Sequence, residues 1–327
     1  MEELKRRNRF IELSSKLWKN YSIVVVFFVI LLICGIAAPR FLRPNNLLNI
    51  LRNTSIVGII AIGMTFVIIA GGIDLSSGAT LATSGAALIA LQKLVTEAGD
   101  PAMPLIIPIV VCLTISTGIG FANGIIITKA KLPPFIVTLA VGIIARSVVM
   151  YFCRGATIMG NRIPTFTNIG NGSVFSIPIP FIVAILLAVI LHVILTRSKF
   201  GTYVFAVGGN ENAARYSGIK VDRIKIITYM LVGFCTGVAA VIEMSRMAAV
   251  AATSSGMQYE FEAITAVIVG GTSLNGGKGR LVGTIVGFII LGIVNNMMIM
   301  LNISPYLSGA VKGAVILFAV LLQRRDR

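Results

Sequence analysis

Charge is scarce in this chain. Only 12% of its 327 residues are Asp, Glu, Lys or Arg, whereas 56% are hydrophobic, and the mean hydropathy is +0.93. Soluble domains carry about 25% charged residues, and no single soluble core of this size hides so much apolar surface. A cytosolic enzyme, a disordered chain and a secreted module are therefore excluded. Histidine is almost missing: His192, the one copy, lies among Leu and Ile and reads as a satisfied helix residue, not a ligand or base. No group of Asp, Glu, His and Cys has metal-ligand spacing, and no catalytic set emerges. The four cysteines, Cys34, Cys112, Cys153 and Cys235, sit in or beside apolar runs and read as small apolar residues without a disulfide. A nucleotide loop is lacking too. At Gly276-Gly277-Lys278-Gly279 such a loop needs Gly at 272 and Ser or Thr at 279, where Thr272 and Gly279 stand. Gly118-Ile119-Gly120 is followed by Asn123 where a dinucleotide fingerprint needs Gly. Both are packing or turn glycines.

What the chain does have is long apolar runs. A helix crosses a bilayer with about 20 apolar residues. Ten candidate spans follow, at about 22–38, 54–71, 77–95, 104–128, 134–153, 177–196, 224–243, 259–271, 281–301 and 306–322. The eighth is short and begins with Glu260 and Glu262, which points to a partly wet or re-entrant segment. The expected fold class is an all-α polytopic membrane protein. Its transmembrane domain covers 22–322, between an N-terminal segment 1–21 and a tail 323–327. The basic stretch before the first span imitates a signal peptide, but the spans that follow favour an uncleaved first helix. Phe10, Ile11, Leu13, Leu17 and Trp18 fit one apolar face of a short interfacial helix.

The formal net charge of +16 reads as basic loops held on the cytoplasmic side, not as a nucleic-acid surface. With both termini inside, the inner segments hold 19 Lys and Arg and the outer segments seven. Arg40, Arg43 and Arg52 oppose the trend and fit a short helix at the outer surface. The longest inner connection, 197–223, contains Gly208-Gly209-Asn210-Glu211 and ends at Gly218. It reads as a short helix with Asn210 as N-cap and Gly218 as stop, either a docking element or a plain connector.

Charges within spans are costly. Asp74 lies at a Gly-rich helix break, Glu243 ends the seventh span, and Arg146 and Lys312 fall inside spans. The two cations read first as paired or hydrogen-bonded groups. The carboxylates sit near span ends, which weakens any case for proton coupling. Asn123 in the fourth span and Asn295-Asn296 in the ninth have two readings: glue between helices, or partners for the hydroxyls of a neutral polar solute. The break Gly71-Gly72-Ile73-Asp74-Leu75-Ser76 has an echo in Gly270-Gly271-Thr272-Ser273-Leu274, then Gly276-Gly277. Both fall on the same side of this topology, so the echo does not establish an inverted repeat.

On these motifs the sequence resembles the membrane permease subunit of ribose-type ABC sugar importers along nearly its whole length. The residues that carry the likeness are Asn45-Asn46-Leu47-Leu48-Asn49-Ile50-Leu51, Gly63-Met64-Thr65, Gly72-Ile73-Asp74-Leu75-Ser76, Gly208-Gly209-Asn210-Glu211, Ser217-Gly218-Ile219, and Gly270 to Leu274 with Gly276 to Arg280. The resemblance implies a type II ABC-importer-like permease in the bacterial inner membrane. It implies a second permease copy, a separate cytoplasmic ATPase that carries ATP and Mg, and a periplasmic or lipid-anchored sugar-binding protein. This chain itself would bind no cofactor. Asn210, Glu211, Ala213, Ala214, Arg215 and Gly218 then look like the coupling helix. Asn212 departs from the family's Glu-Ala-Ala at this loop. A permease of the same fold for a furanosyl signalling compound, a nucleoside or a branched-chain amino acid stands beside this reading. So does a carrier or channel working alone.

Overall fold

Backbone polar groups find no water inside a bilayer, so a spanning chain closes its hydrogen bonds within helices. The computed structural model describes residues 40–97 and 105–304 continuously, with isolated positions near each terminus. The segment 1–21, the tail 323–327 and Lys312 lie outside the described residues, as do most of the spans expected at 22–38 and 306–322. Among the described residues, seven helices are long and apolar enough to cross a membrane. They are α1 (Pro44–Ile69), α2 (Ser77–Glu97), α3 (Ile106–Lys129), α4 (Pro134–Phe152), α6 (Ile179–Arg197), α9 (Val221–Met247) and α11 (Leu281–Met300). Each falls on an expected span. Between them lie α5 (Pro164–Asn171), α7 (Lys199–Gly209), α8 (Glu211–Tyr216) and α10 (Tyr259–Val269).

One expectation is sharpened and one is corrected. The eighth span is α10, whose 11 residues rise about 16 Å, half of a hydrocarbon core of about 30 Å. It starts beside Glu243, near the end of α9, and stops in a turn packed on Ile69, at the end of α1, so the segment runs between the two ends of the bundle. No separate surface helix holds Arg52: α1 starts at Pro44 and runs through Arg52 without a break.

Hydropathy cannot tell a buried helix from one that faces lipid, because both are apolar. The positions of small residues can. In α3 the buried positions are Pro108, Cys112, Ser116, Gly120, Asn123, Gly124 and Ile127, mostly four apart. This stripe lies on α9, where a methyl on Gly120 would strike the Tyr229 carbonyl and one on Gly233 would strike the Ser116 carbonyl. Small residues let the two backbones approach closely. The helix α1 is buried from Thr54 to Ile69 and α9 over most of its length. These two form the centre, while α3, α4 and α6 turn broad apolar faces outward.

At one end of the bundle, β1 (Thr157–Met159) pairs antiparallel with β4 (Ala249–Ala251), and β2 (Ser173–Val174) pairs antiparallel with β3 (Ile177–Pro178). Gln92 there grips Asn161 twice, donating to its carbonyl at 2.7 Å and accepting from its amide at 3.0 Å. Arg146 donates to the carbonyls of Ala252 and Ser255 at 3.0 and 2.9 Å. It pins the loop after β4, a structural task. Glu243 is buried beside Tyr259 and Ser255.

The α3–α9 crossing supplies a matched pair of variants. Gly120→Ala should destabilise the protein by about 1–3 kcal/mol through overpacking. Gly118→Ala, whose methyl meets nothing within 4 Å, should be neutral. Thermal unfolding in detergent checks both, and equal midpoints would contradict the close crossing.

Candidate functional site

Three features meet at the opposite end of the bundle: two broken helices and a short exposed helix. The first break follows α1. Gly71, at φ +80°, takes the left-handed conformation that L side chains rarely adopt. The amides of Gly71 and Gly72 donate back to Ile68 and Val67 at 3.0 and 2.8 Å, a glycine-terminated helix stop. The second break follows α10 with the same pattern. Gly271 has φ +86°, and the amides of Gly271 and Thr272 donate to Ile268 and Val267 at 2.8 and 3.2 Å. The echo in the sequence is therefore an echo in turn geometry, and both turns lie at one end of the bundle.

Breaking a helix frees backbone groups that need partners. Around the first break the neighbouring helices supply them. Thr138 of α4 accepts from the Leu75 amide at 3.1 Å. Tyr229 of α9 donates to the Ile73 carbonyl at 3.1 Å. Asp74, buried, accepts from the amide and hydroxyl of Ser76 at 2.8 and 2.6 Å, a side-chain turn just ahead of α2. Asn123 of α3 donates to the Ser76 hydroxyl at 2.8 Å. Asn123 thus sits in the scaffold of the break, fully buried.

The other two asparagines are elsewhere. Asn295 and Asn296 lie on α11, facing a cavity of about 450 Å³ between α1, α10 and α11. Asn53, Thr54 and Glu262 also line it. Asn296 exchanges amide hydrogen bonds with Asn46, at 3.0 and 2.9 Å. That leaves Asn295 and Asn53 as amides able to face the cavity without breaking this pair. Sequence reading passed over Asn53 and marked Glu262 only as the start of a wet segment, because the packing of α1, α10 and α11 is what brings them together.

The exposed helix is α8. Asn210 caps it by accepting from the Ala213 amide at 2.9 Å. At its end Gly218, φ +82°, donates to Arg215 and Ile219 donates to Ala214, both at 3.1 Å. Ala214 is the one buried position, and Ala213, Arg215 and Gly218 face out. Charges brace the helix against the bundle. Glu211 pairs with Lys225 at 2.5 Å and with Arg215 at 3.2 Å. Arg215 also reaches Asp222 at 3.2 Å, and Asp222 faces Lys129 at 4.0 Å. Partial burial raises the Glu211 pKa, but Lys225 and Arg215 outweigh it and leave the carboxyl below its ordinary range. The brace is therefore complete above the usual glutamate pKa and loosens as pH falls through the lowered value. Tyr216, at the tip, is 91% exposed. Sequence reading passed over it, although it is the only large apolar side chain in α8, and exposed tyrosines anchor protein interfaces.

A many-spanned chain with two glycine stops and a braced, outward-facing helix at one end has the form of a transport permease. Comparison places it further. The family described as branched-chain amino acid transport system / permease component matches residues 46–320, and the chain belongs to it. Among curated relatives, the ribose import permease protein RbsC of Bacillus subtilis (strain 168) is 43% identical over 299 residues, 91% of this chain and 90% of that protein. RbsC of Haemophilus influenzae is 40% identical over 300 residues, again 91% and 90%. The D-allose transport system permease protein AlsC of Escherichia coli (strain K12) is 35% identical over 308 residues, 94% and 92%. No solved structure matches. The chain is a multi-pass membrane permease of the ribose-type importer class.

Thr138 tests how the first break is held. Thr138→Val strips the acceptor from the Leu75 amide, and an unsatisfied buried donor costs about 1–3 kcal/mol. Thermal unfolding should show that loss, and wild-type stability would mean the break is held otherwise.

Proposed function

We propose that this chain is the permease subunit of an ATP-driven importer that moves a monosaccharide across the bacterial inner membrane. The chain acts as a transport subunit, and ATP with Mg is bound and hydrolysed on a separate cytoplasmic subunit. The observation that carries the reading is α8, a capped six-residue helix that presents Tyr216 and is braced to α9 through Glu211 and Lys225. A helix held this firmly but left uncovered suits a cleft in a partner. The end that bears α8 also gathers Lys129, Lys131, Arg197, Lys199, Lys220, Arg223, Lys278 and Arg280, which supports its assignment to the cytoplasm. On that basis both termini are inside: the seven long helices, the half-length α10 as a crossing, and the two further spans expected at 22–38 and 306–322 make an even set of ten.

ATP binding closes the ATPase pair and displaces α8 together with α9. The permease then shifts between inward-facing and outward-facing states, whose populations follow differential binding. A sugar-binding protein docks on the opposite end, around α5 and the β1–β4 pair. A second permease copy packs on the apolar outer faces, and identical copies make a homodimer. A neutral sugar needs amides and hydroxyls in its path, not fixed charge. Asn295, Asn53 and Thr54 provide such a lining, with the carboxylate of Glu262 beside them as an acceptor for sugar hydroxyls; Asn296 shapes it through Asn46, and Asn123 acts from the break. The names of the relatives attach ribose and D-allose to this family, and a pentose or hexose is the cargo expected here.

Two sets of variants test the reading in the complex with its ATPase and binding protein. Glu211→Ala, Arg215→Ala and Tyr216→Ala should each lower uptake while the protein still inserts, and Tyr216→Ala should also weaken co-purification of the ATPase. Normal uptake in all three would remove α8 from coupling. Asn295→Leu should lower uptake with ATPase co-purification unchanged, and wild-type uptake kinetics would assign Asn295 to packing.

A further inference from the structure

The helix before α8 ends in a place with no room to spare. Asn210 closes α7, donating its amide to Ala206 at 3.1 Å, and also caps α8. One residue therefore joins the two helices, and α8 cannot shift without carrying the end of α7. Gly208, on the last turn of α7, lies directly on the first break. A methyl there would collide with the Ile69 carbonyl and the Gly277 amide, two groups already hydrogen-bonded to each other at 2.9 Å. A methyl on Gly276 would meet the backbone of both Gly208 and Gly71, and one on Gly277 would meet the backbone of Gly209. Phe200 on the first turn of α7 stacks on Phe66 of α1, ring centres 6.2 Å apart. Three chain segments thus meet backbone to backbone: the end of α7, the end of α1 and the turn from α10 to α11.

These segments lead to one place. The cavity that contains Asn295 is walled by α1, α10 and α11 and by no other described helix. We infer that the Gly208–Gly276–Gly71 junction is the rigid link by which displacement of α8 reaches the cavity walls. This rests on the importer reading above. A side chain at the junction would add slack or force the three segments apart, whereas bare backbone contact in a close-packed interior transmits displacement. Gly208 is accordingly a positioning residue: it touches neither nucleotide nor sugar.

The neighbouring residue provides the control. A methyl on Gly209 meets nothing within 4 Å, so Gly208→Ala and Gly209→Ala differ by one position in the same helix and by whether the added methyl enters the junction. In proteoliposomes holding the permease, its ATPase and its binding protein, ATP hydrolysis and uptake of labelled ribose and allose are measured together. Gly208→Ala should retain ATPase co-purification and hydrolysis but import about tenfold fewer sugars per ATP, within the range reported for mutations along coupling routes. Gly209→Ala should couple like the wild type. Equal coupling in the two variants, with an active wild type, overturns the inference alone. If wild-type uptake does not require ATP, the importer reading falls and the inference with it. Hydrogen exchange in the wild-type complex covers the case in which Gly208→Ala does not fold. The amide of Gly277 should stay protected with and without ATP, and exchange that rises on ATP binding would show a junction that opens and transmits nothing.

Discussion

Everything in this structure follows from one constraint: a helix broken within a bilayer must find partners for the backbone groups it frees. The chain breaks after α1 and after α10, and satisfies each break differently. At the first, side chains from three helices converge, with Thr138, Asn123 and Tyr229 reaching Leu75, Ser76 and Ile73. At the second, the turn folds on itself, with the Ser273 amide donating to Lys278 at 3.0 Å, and then borrows the Ile69 carbonyl of the first through Gly277. The two breaks are thereby one unit. The same scarcity of partners explains why α3 and α9 meet over small residues, since close backbones leave no gap to fill.

From that unit the rest can be traced outward. The helix α7 presses on it through Gly208, α8 extends from α7 through Asn210, and a chain of charges from Glu211 to Lys129 fixes α8 on α9 and α3. Surface ion pairs are each worth little, about 0–1 kcal/mol. Their part is to fix orientation, which a docking helix requires. In the other direction, α1, α10 and α11 carry the geometry of the breaks to a cavity lined by amides. No element on this route needs a charged group near the middle of the membrane, which suits a neutral cargo.

Much of this was legible in the sequence. Asn210 and Gly218 marked α8 because capping is local chemistry, and the Gly-Gly motifs marked both breaks because a left-handed helix stop favours glycine. Seven spans were visible in hydropathy alone. What was not legible depends on contacts far apart in the chain. Asn123 carried two readings, and its partner Ser76, 47 residues away, is not visible from its own surroundings in the sequence. Asn296 looked equivalent to Asn295 until Asn46 claimed it. The start of α1 was obscured by Asn45, Asn46, Asn49 and Arg52, which lower its hydropathy without interrupting the helix.

The most direct test is uptake of labelled pentoses and hexoses into proteoliposomes that contain this chain, its ATPase and its binding protein, with ATP inside and an uncoupler present. The account predicts uptake that needs ATP and the binding protein and survives the uncoupler. Uptake by this chain alone, without ATP, would contradict it and would make the protein a carrier or channel.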